Sequence, residues 1–557
     1  MKIRRIAGFA ASVAVGALVL TACSSTPSST SSTGSGGKST GVITDWSSEP
    51  QNPLIPTNTS EVGGAKVLEN LFAGLEYYDA KGAPKNEVAD SITTKDAQTY
   101  TIKLKSGWKF TNGEAVTSKS FVDAWNYGAT TLPNVPQQLL NSFFQPIEGY
   151  SDVTVPDPAD STKFLAPTAK TMSGLVVVDD TTFTVKLAKA ESDFPLQLGY
   201  SAFYPLPQAA YKDMAAFGEN PIGDGPYKFA KKGAWQHNVA IDVVPNADYA
   251  GDRVAQNGGV SFKFYATLDA AYNDLLADQL DVLDSIPDSA YGTFQKELGN
   301  RAVNTPSAIF QSFTIPQALA HFSGAEGKLR RQAISLAVNR TEITKTIFRG
   351  TRTPARDFTS PVIAGWSDSI PGNDVLTFDA AKAKDLWKQA DAISPWSGTF
   401  TIGYNTDGGH QAWVDAVTNS LKNTLGISAE GNPVATFGDF RTQITGRTIK
   451  GAFRSGWQAD YPGLYDFLGP LYGTGAGSND GVYSNPQVDS LLKEGLAAMS
   501  IADANKKFDS VQEILFKDLP AIPLWYQNVT AGSSTLVSNV QFGWDSFPLL
   551  YKVTKKG

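Results

Sequence analysis

The strongest constraint on this chain is that its only long apolar run lies at the N-terminus and ends near its only cysteine. Basic residues within 2–5 precede the run, which covers residues 6–20, and small residues lead to Cys23. The run is shorter than the about 20 apolar residues that span a bilayer, so the pattern predicts a secretory signal peptide over residues 1–22. With one cysteine, neither an internal disulfide bond nor a multi-cysteine metal site is available.

The segment after Cys23 is almost entirely Ser, Thr, Gly and Pro up to residue 41. Such a composition buries too little apolar surface to fold, which predicts a flexible tether over residues 23–41. Beyond it, no run of about 18 apolar residues remains, so no second membrane span is expected. The rest of the chain exceeds the about 250–300 residues that one core usually serves, which predicts two or more lobes.

Charge and motif content exclude several functional classes. The net charge of −7 is opposite to the basic balance of nucleic-acid binders, so no nucleic-acid partner is expected. The three histidines, His237, His321 and His410, lie far apart, and G-x-S-x-G, H-E-x-x-H and P-loop motifs are absent from the sequence. We therefore expect no enzyme, neither a hydrolase nor a nucleotide-cleaving protein, and no metal or other cofactor.

Periodicity indicates a chain of mixed α and β structure. Alternating apolar and polar residues predict strands, and apolar residues at helical spacing predict helices. The predicted elements are strands at 100–104 and 183–187, a helix from about 329 that Gly350 ends, a helix capped by Asp379, and a helix over 501–517 that leads into a strand from Ile522.

Six short motifs occur along the sequence. Each motif is a weak signal by itself, but the six together in this order are specific. They are NLFAGL at 70–75, TYTIKLK at 99–105, WKFTNGEAVT at 108–117, GDGPY at 223–227, LRRQAISLAVNR at 329–340 and AIPLWY at 521–526. Together they resemble the peptide/nickel class of bacterial extracellular solute-binding proteins, over about residues 42–545. The resemblance implies an α/β fold like that of periplasmic binding proteins, with two hinged lobes, two crossover strands and an extra inserted α+β domain.

The resemblance also implies domain boundaries and a cellular role. Lobe I would comprise residues 42–78, 196–305 and 527–557, the inserted domain residues 79–195, and lobe II residues 306–526. The stretch LTAC that ends at Cys23 resembles a lipobox, which implies a lipidated Cys23 and a monomer anchored to the outer face of the cytoplasmic membrane. Such a protein would capture short peptides in the cleft between the lobes and deliver them to an ABC permease with separate ATPase subunits.

The segment GWQADYP at 456–462 is the most informative about the ligand. It resembles the stretch of oligopeptide-binding members in which an aspartate, here Asp460, pairs with the α-ammonium of the peptide. A buried ammonium needs such a partner, because leaving it unpaired is costly. Trp457 would form a wall of the site, and the backbone of Gly456 to Gln458 would pair with that of the ligand. The alternatives are that Asp460 caps the turn before a proline and that Trp457 belongs to the core.

Further candidates lie outside this segment. The loop Ser60, Glu61 and Val62 occupies a region where relatives contact the ligand backbone, and Glu61 could balance a basic ligand side chain. Candidate anchors for the ligand carboxylate are Arg441, Arg447 and Arg454, and the spacing does not distinguish among them.

Two alternative functions keep the same fold. One is the binding of a non-peptide solute, namely an opine, a metal chelate, haem or an oligosaccharide. The other is a peptide sensor or adhesin without import.

Overall fold

The computed structural model describes residues 39–556, apart from the side chains of residues 161, 162 and 407. The predicted signal peptide, Cys23 and the tether up to residue 38 lie outside the described residues. Among the helices of the described part, none has the length and apolar character needed to cross a membrane.

The elements follow one another along the chain as a mixture of strands and helices. Up to residue 197 they are β1 (Ile43–Ser47), α1 (Val62–Leu71), β2 (Glu76–Tyr78), β3 (Pro84–Asn86), β4 (Ala89–Thr94), β5 (Thr99–Leu104), α2 (Ser118–Ala129), α3 (Tyr150–Val153), β6 (Pro156–Asp157), β7 (Asp160–Phe164), β8 (Leu175–Asp179), β9 (Thr182–Lys186) and α4 (Phe194–Gln197). The next are α5 (Met214–Glu219), β10 (Tyr227–Phe229), β11 (Trp235–Gln236), β12 (Ala240–Pro245), β13 (Val260–Phe264), α6 (Leu268–Leu276), β14 (Val282–Leu283) and α7 (Phe294–Leu298). The last are β15 (Val303–Thr314), α8 (Gly324–Ala337), α9 (Arg340–Thr346), β16 (Arg352–Pro354), α10 (Ala380–Ile393), β17 (Thr399–Asn405), α11 (Gln411–Leu425), β18 (Ser428–Val434), α12 (Phe437–Thr445), β19 (Ala452–Gln458), α13 (Leu464–Tyr472), α14 (Pro486–Leu496), α15 (Ile501–Asp518), β20 (Ala521–Ser533), β21 (Val537–Ser538) and β22 (Thr554–Lys555).

One mixed sheet connects the two halves of the molecule. Its strand order is β10-β12-β13-β1-β14-β20-β15-β19-β17-β18, with β11 beside β12 and β16 beside β20. The long strands β15 and β20 are antiparallel, with Thr314 opposite Ala521 at one end and Val303 opposite Ala531 at the other. The last residues of β20 also pair with β14, so this strand reaches both halves of the sheet. These are the two crossover strands that the sequence predicted.

Two large apolar cores pack against the two halves of this sheet. One core contains Ile43, Val260 and their neighbours, and the other contains Phe310, Ile522 and theirs. This arrangement confirms the predicted two-lobe α/β fold. Side chains from the predicted inserted domain, such as Val185, belong to the same core as Ile43. The division into three segments stays a prediction.

Local sequence signals account for several elements. In β5 the side chains of Tyr100, Ile102 and Leu104 are buried, as their alternation with polar residues predicted. Asp379 caps α10 as predicted, because its carboxylate accepts hydrogen bonds from the N–H groups of Ala381 (3.0 Å) and Lys382 (2.9 Å).

The helix predicted to continue to Gly350 is wrong in its extent, because the chain forms two helices there. The first, α8, ends at Ala337. The side chain of Asn339 then accepts a hydrogen bond from the N–H of Glu342 at 3.1 Å and begins α9. An asparagine that bonds to the backbone in this way favours a new helix start over continuation of the first helix. Gly350 lies beyond α9 with φ +81°.

The GDGPY motif forms a turn that packs on the end of α1. A Cβ atom on Gly223 would lie 1.9 Å from the carbonyl oxygen of Leu71, so only glycine fits there. Between this glycine and Gly225, the carboxylate of Asp224 accepts a hydrogen bond from the N–H of Ala73 at 2.9 Å. The motif therefore joins β10 to the segment that follows α1.

Candidate ligand-binding site

Strand β19 carries the predicted site residues 456–458 and has one open edge. On one side it pairs with β15, with Gln311 opposite Gly456. On the other side β17 pairs only with the first two residues of β19. Among the described strands, residues 454–458 thus have no partner on that side. Backbone groups at such an edge can pair with an added strand.

Asp460 follows β19. Its backbone N–H forms a hydrogen bond, whereas its side chain forms none with another described residue. Asp466, in the first turn of α13, accepts hydrogen bonds from the backbone N–H of Asp460 and the indole N–H of Trp457, both at 3.0 Å. The half-buried carboxylate of Asp460 has no hydrogen bond or ion pair with another described residue, and burial raises its pKa to about 6. Burial and the nearby Asp460 raise the pKa of Asp466. The turn is therefore held by Asp466 and not by the side chain of Asp460.

Asp460 and Trp457 line one cleft with a volume of about 600 Å³. One wall comes from residues 457–478 and the other from residues 142–197, which are distant in sequence. Aromatic side chains occur on both walls, including Tyr465 on the first and Phe143 on the second. Pockets for small ligands have volumes of about 300–1,000 Å³, so this cleft has the size of a ligand site. Trp457 contacts the second core while it lines the cleft.

Carboxyl groups predominate among the charged groups around the cleft. Asp460, Asp466 and Glu191 line it, together with the ammonium of Lys189. Burial, and to a smaller extent the neighbouring Asp193, raise the pKa of Glu191 to about 8, whereas Lys189 opposes the shift. A cleft with this excess of carboxyl groups favours a cationic ligand group.

The two walls are connected directly beside the cleft. The hydroxyl of Tyr461 donates a hydrogen bond to the buried carboxylate of Asp193 at 2.9 Å. The backbone N–H of Ser192 donates to the carbonyl oxygen of Leu496 at 2.7 Å, and its hydroxyl donates to that of Gly495 at 3.2 Å. Burial raises the pKa of Asp193 to about 6, although the bond from Tyr461 opposes this shift.

A second cavity of about 210 Å³ adjoins the cleft, because Trp457 and Ser478 line both. Arg441 lies in this second cavity and forms an ion pair with Asp480, with nitrogen–oxygen distances of 2.6 and 3.3 Å. Gly456 lines the same cavity, which places the open edge of β19 beside it.

The other two candidate arginines differ in position. Arg454 lines the second cavity, where its guanidinium lies 5.1 Å from the ring centroids of both Phe437 and Phe440 and donates to Asn405 at 2.7 Å. Arg447 does not line that cavity and donates to the backbone oxygen of Asp480. Two of the three predicted anchors thus line the second cavity and not the cleft itself.

The loop at residues 60–62 lies elsewhere on the described surface. The carboxylate of Glu61 accepts hydrogen bonds from the backbone N–H of Gln51 (2.8 Å) and the side-chain amide of Asn52 (3.0 Å). Ser60 and Val62 are exposed. Within the described chain, none of these loop residues lines either cavity, and neither does Gln458. The structure therefore brings Gly456, Trp457 and Asp460 together and leaves the loop apart from them.

Sequence reasoning missed Asp466, Glu191 and the contact between Tyr461 and Asp193. Asp466 had a local signal, since an acidic residue in the first turn of a helix readily accepts N–H bonds. Glu191 and Asp193 had no such signal, because the segment that carries them is more than 260 residues away from Tyr461. No group of three His, Cys, Asp or Glu side chains within residues 39–556 could hold a metal ion.

The fold and the cleft define a class of protein, a two-lobed binding protein with a partly enclosed cleft. A family model described as "Bacterial extracellular solute-binding proteins, family 5 Middle" matches residues 83–479. The chain therefore belongs to the family 5 bacterial extracellular solute-binding proteins, as the motif resemblance predicted. This is a family of binding proteins that act outside the cytoplasm.

Known relatives agree with this assignment. The oligopeptide-binding protein OppA of Bacillus subtilis (strain 168) is 24% identical over 492 residues, which cover 85% of each chain. The solved structure of the Escherichia coli murein tripeptide binding protein MppA has a TM-score of 0.72 at 20% identity, with 93% of this chain and 98% of that chain covered. Haemophilus influenzae OppA in complex with the peptide RPPGFSPFR has a TM-score of 0.70 at 22% identity, with coverage of 93% and 99%. At these identities the two structures establish the shared fold.

Proposed function

We propose that this protein captures short peptides with a free amino terminus in the cleft and delivers them to an ABC permease. The carboxylate of Asp460 carries the proposal, because it lines the cleft without a partner among the described residues. An α-ammonium placed there would form a charge-assisted hydrogen bond. Relatives whose names include oligopeptide binding support a peptide over an opine, a metal chelate, haem or an oligosaccharide.

The remaining predicted residues would have roles consistent with a peptide ligand. The open edge at residues 454–458 would pair with the ligand backbone, which is independent of the peptide sequence. Trp457 would pack against a ligand side chain, while its indole N–H remains bonded to Asp466. The loop at residues 60–62 lies apart in the described structure, so its contribution would require movement of the lobes.

Capture would proceed by closure of the lobes around the ligand. A ligand that contacts both walls stabilises the closed form, and the population shifts toward it. The closed form would then dock on the permease, whose ATPase subunits supply the energy. This chain would act as a binding component without catalysis, anchored at the outer membrane face by lipid on Cys23 and working as a monomer.

The proposal is tested by identifying the ligand and then the group that it uses. Native mass spectrometry of the purified protein should show bound peptides, and calorimetry should show that tri-alanine binds more tightly than N-acetyl-tri-alanine. Peptides recovered intact after prolonged incubation would agree with a binding protein, whereas cleavage products would indicate an enzyme. A co-purified sugar, haem or chelate, together with no affinity for tripeptides, would refute the proposal.

A further inference from the structure

Glu191 lines the cleft, and its carboxylate takes no part in the hydrogen bonds or ion pairs of the described residues. Its backbone N–H donates to the carbonyl oxygen of Ala97 at 2.8 Å, and its carbonyl oxygen accepts a hydrogen bond from the hydroxyl of Tyr100 at 2.6 Å. The half-buried carboxylate itself forms no hydrogen bond or ion pair with another described residue. The backbone thus holds the residue in position while the side chain remains available to a ligand.

The groups around Glu191 leave its negative charge uncompensated. Asp193 disfavours its ionisation, and the ammonium of Lys189 is exposed and forms no ion pair with it among the described residues. The other titratable groups that sense its charge are the phenols of Tyr100 and Tyr465, whose pKa values are raised partly by Glu191. A cation that entered the cleft would therefore be the first close positive partner of this carboxylate.

The proposed function accounts for only one of the cleft's free carboxylates. A neutral peptide has a single α-ammonium, which Asp460 would bind, and Asp466 is occupied by two N–H donors. Glu61, the residue that the sequence suggested for a basic ligand side chain, is already hydrogen-bonded within its own loop. Glu191 then remains for a second positive charge on the ligand.

We propose that Glu191 is a specificity residue that binds a basic side chain of the ligand, so that the cleft prefers peptides with lysine or arginine at the first or second position. This inference rests on the proposed function. It adds the chemical class of the preferred peptide, which has two positive charges near its amino terminus. A charged hydrogen-bonded pair in a partly enclosed cleft contributes enough for an about tenfold preference.

The test compares peptides that differ only in this charge. Calorimetry would measure Lys-Ala-Ala and Ala-Lys-Ala against Met-Ala-Ala and Ala-Met-Ala, which have side chains of similar length. For the wild type at pH 8, at least one lysine peptide should bind about tenfold more tightly than its methionine counterpart. In Glu191→Gln the ratio should fall to about one, and Glu191→Asp should retain part of it. Asp90→Asn removes an exposed carboxylate outside both cavities and should leave the ratio unchanged.

The pH dependence provides a readout that a merely structural role would not produce. Burial raises the pKa of Glu191 to about 8, so a bound cation must displace its proton at lower pH. The lysine preference should therefore increase between pH 6 and pH 8, and Glu191→Gln should abolish this increase. Equal affinities of lysine and methionine peptides for the wild type at pH 8, or an unchanged ratio in Glu191→Gln at that pH, would refute this inference alone. Failure of every tripeptide to bind would refute the proposed function, and the inference with it.

Discussion

Replacing Asp460 by asparagine should weaken the binding of peptides with a free amino terminus. The substitution preserves the shape of the side chain and leaves its backbone N–H bonded to Asp466. What is lost is the negative charge opposite the ligand's α-ammonium. A hydrogen bond between charged groups contributes about 1.5–3 kcal/mol, which corresponds to an about ten- to hundredfold increase in Kd.

The same carboxylate predicts how affinity depends on pH. Burial raises the pKa of Asp460 to about 6 in the free protein, and a bound ammonium lowers it because the cation favours the ionised form. Binding therefore requires release of a proton below pH 6. Affinity for tri-alanine should be fully present near pH 7 and fall by up to about tenfold for each pH unit below 6.

Calorimetry with tri-alanine between pH 5 and pH 7 measures both effects. Asp460→Asn should bind weakly at every pH in this range and show a flat profile. N-acetyl-tri-alanine should bind the wild type and the variant with similar low affinity. An unchanged Kd for tri-alanine in Asp460→Asn, or a wild-type affinity that does not fall below pH 6, would show that Asp460 does not bind the amino terminus.

Three further perturbations test the fold and the anchor. Arg253→Met should lower the free energy of unfolding by about 3–5 kcal/mol in urea titrations, because it removes the cation bonded to the buried carboxylate of Glu87 at 2.7 and 2.9 Å and leaves the hydroxyl of Tyr249 as its neutral partner; an unchanged midpoint would contradict this. Gly223→Ala should lower the Tm, since its Cβ would overlap a backbone carbonyl, whereas Gly292→Ala, with no atom within 4 Å, should not. Cys23→Ser should prevent labelling by radioactive palmitate and release the protein from the membrane fraction, and persistent labelling would refute lipidation at Cys23.

The sequence predicted local structure where the signals were local. The alternation around Ile102 identified β5, and Asp379 identified the start of α10. The extent of the helix before Gly350 was wrong, because the interruption depends on one side-chain bond of Asn339 that competes with helix continuation. Asp460 was singled out by a motif and lines the cleft, and its role in ligand binding stays a prediction. The loop containing Glu61 lies apart from the cleft in the described structure, and its proposed role stays a prediction.

The sequence by itself determined the family and the two-lobe class and predicted an export signal, because these depend on motif order, length and composition. Only the tertiary structure decided which charges share the cleft. About half the length of the chain separates Asp460 from Glu191 in the sequence. The walls that carry them are nevertheless joined by the hydrogen bond between Tyr461 and Asp193. Electrostatic interactions depend on distance through space, and no periodicity or spacing along the chain encodes that distance.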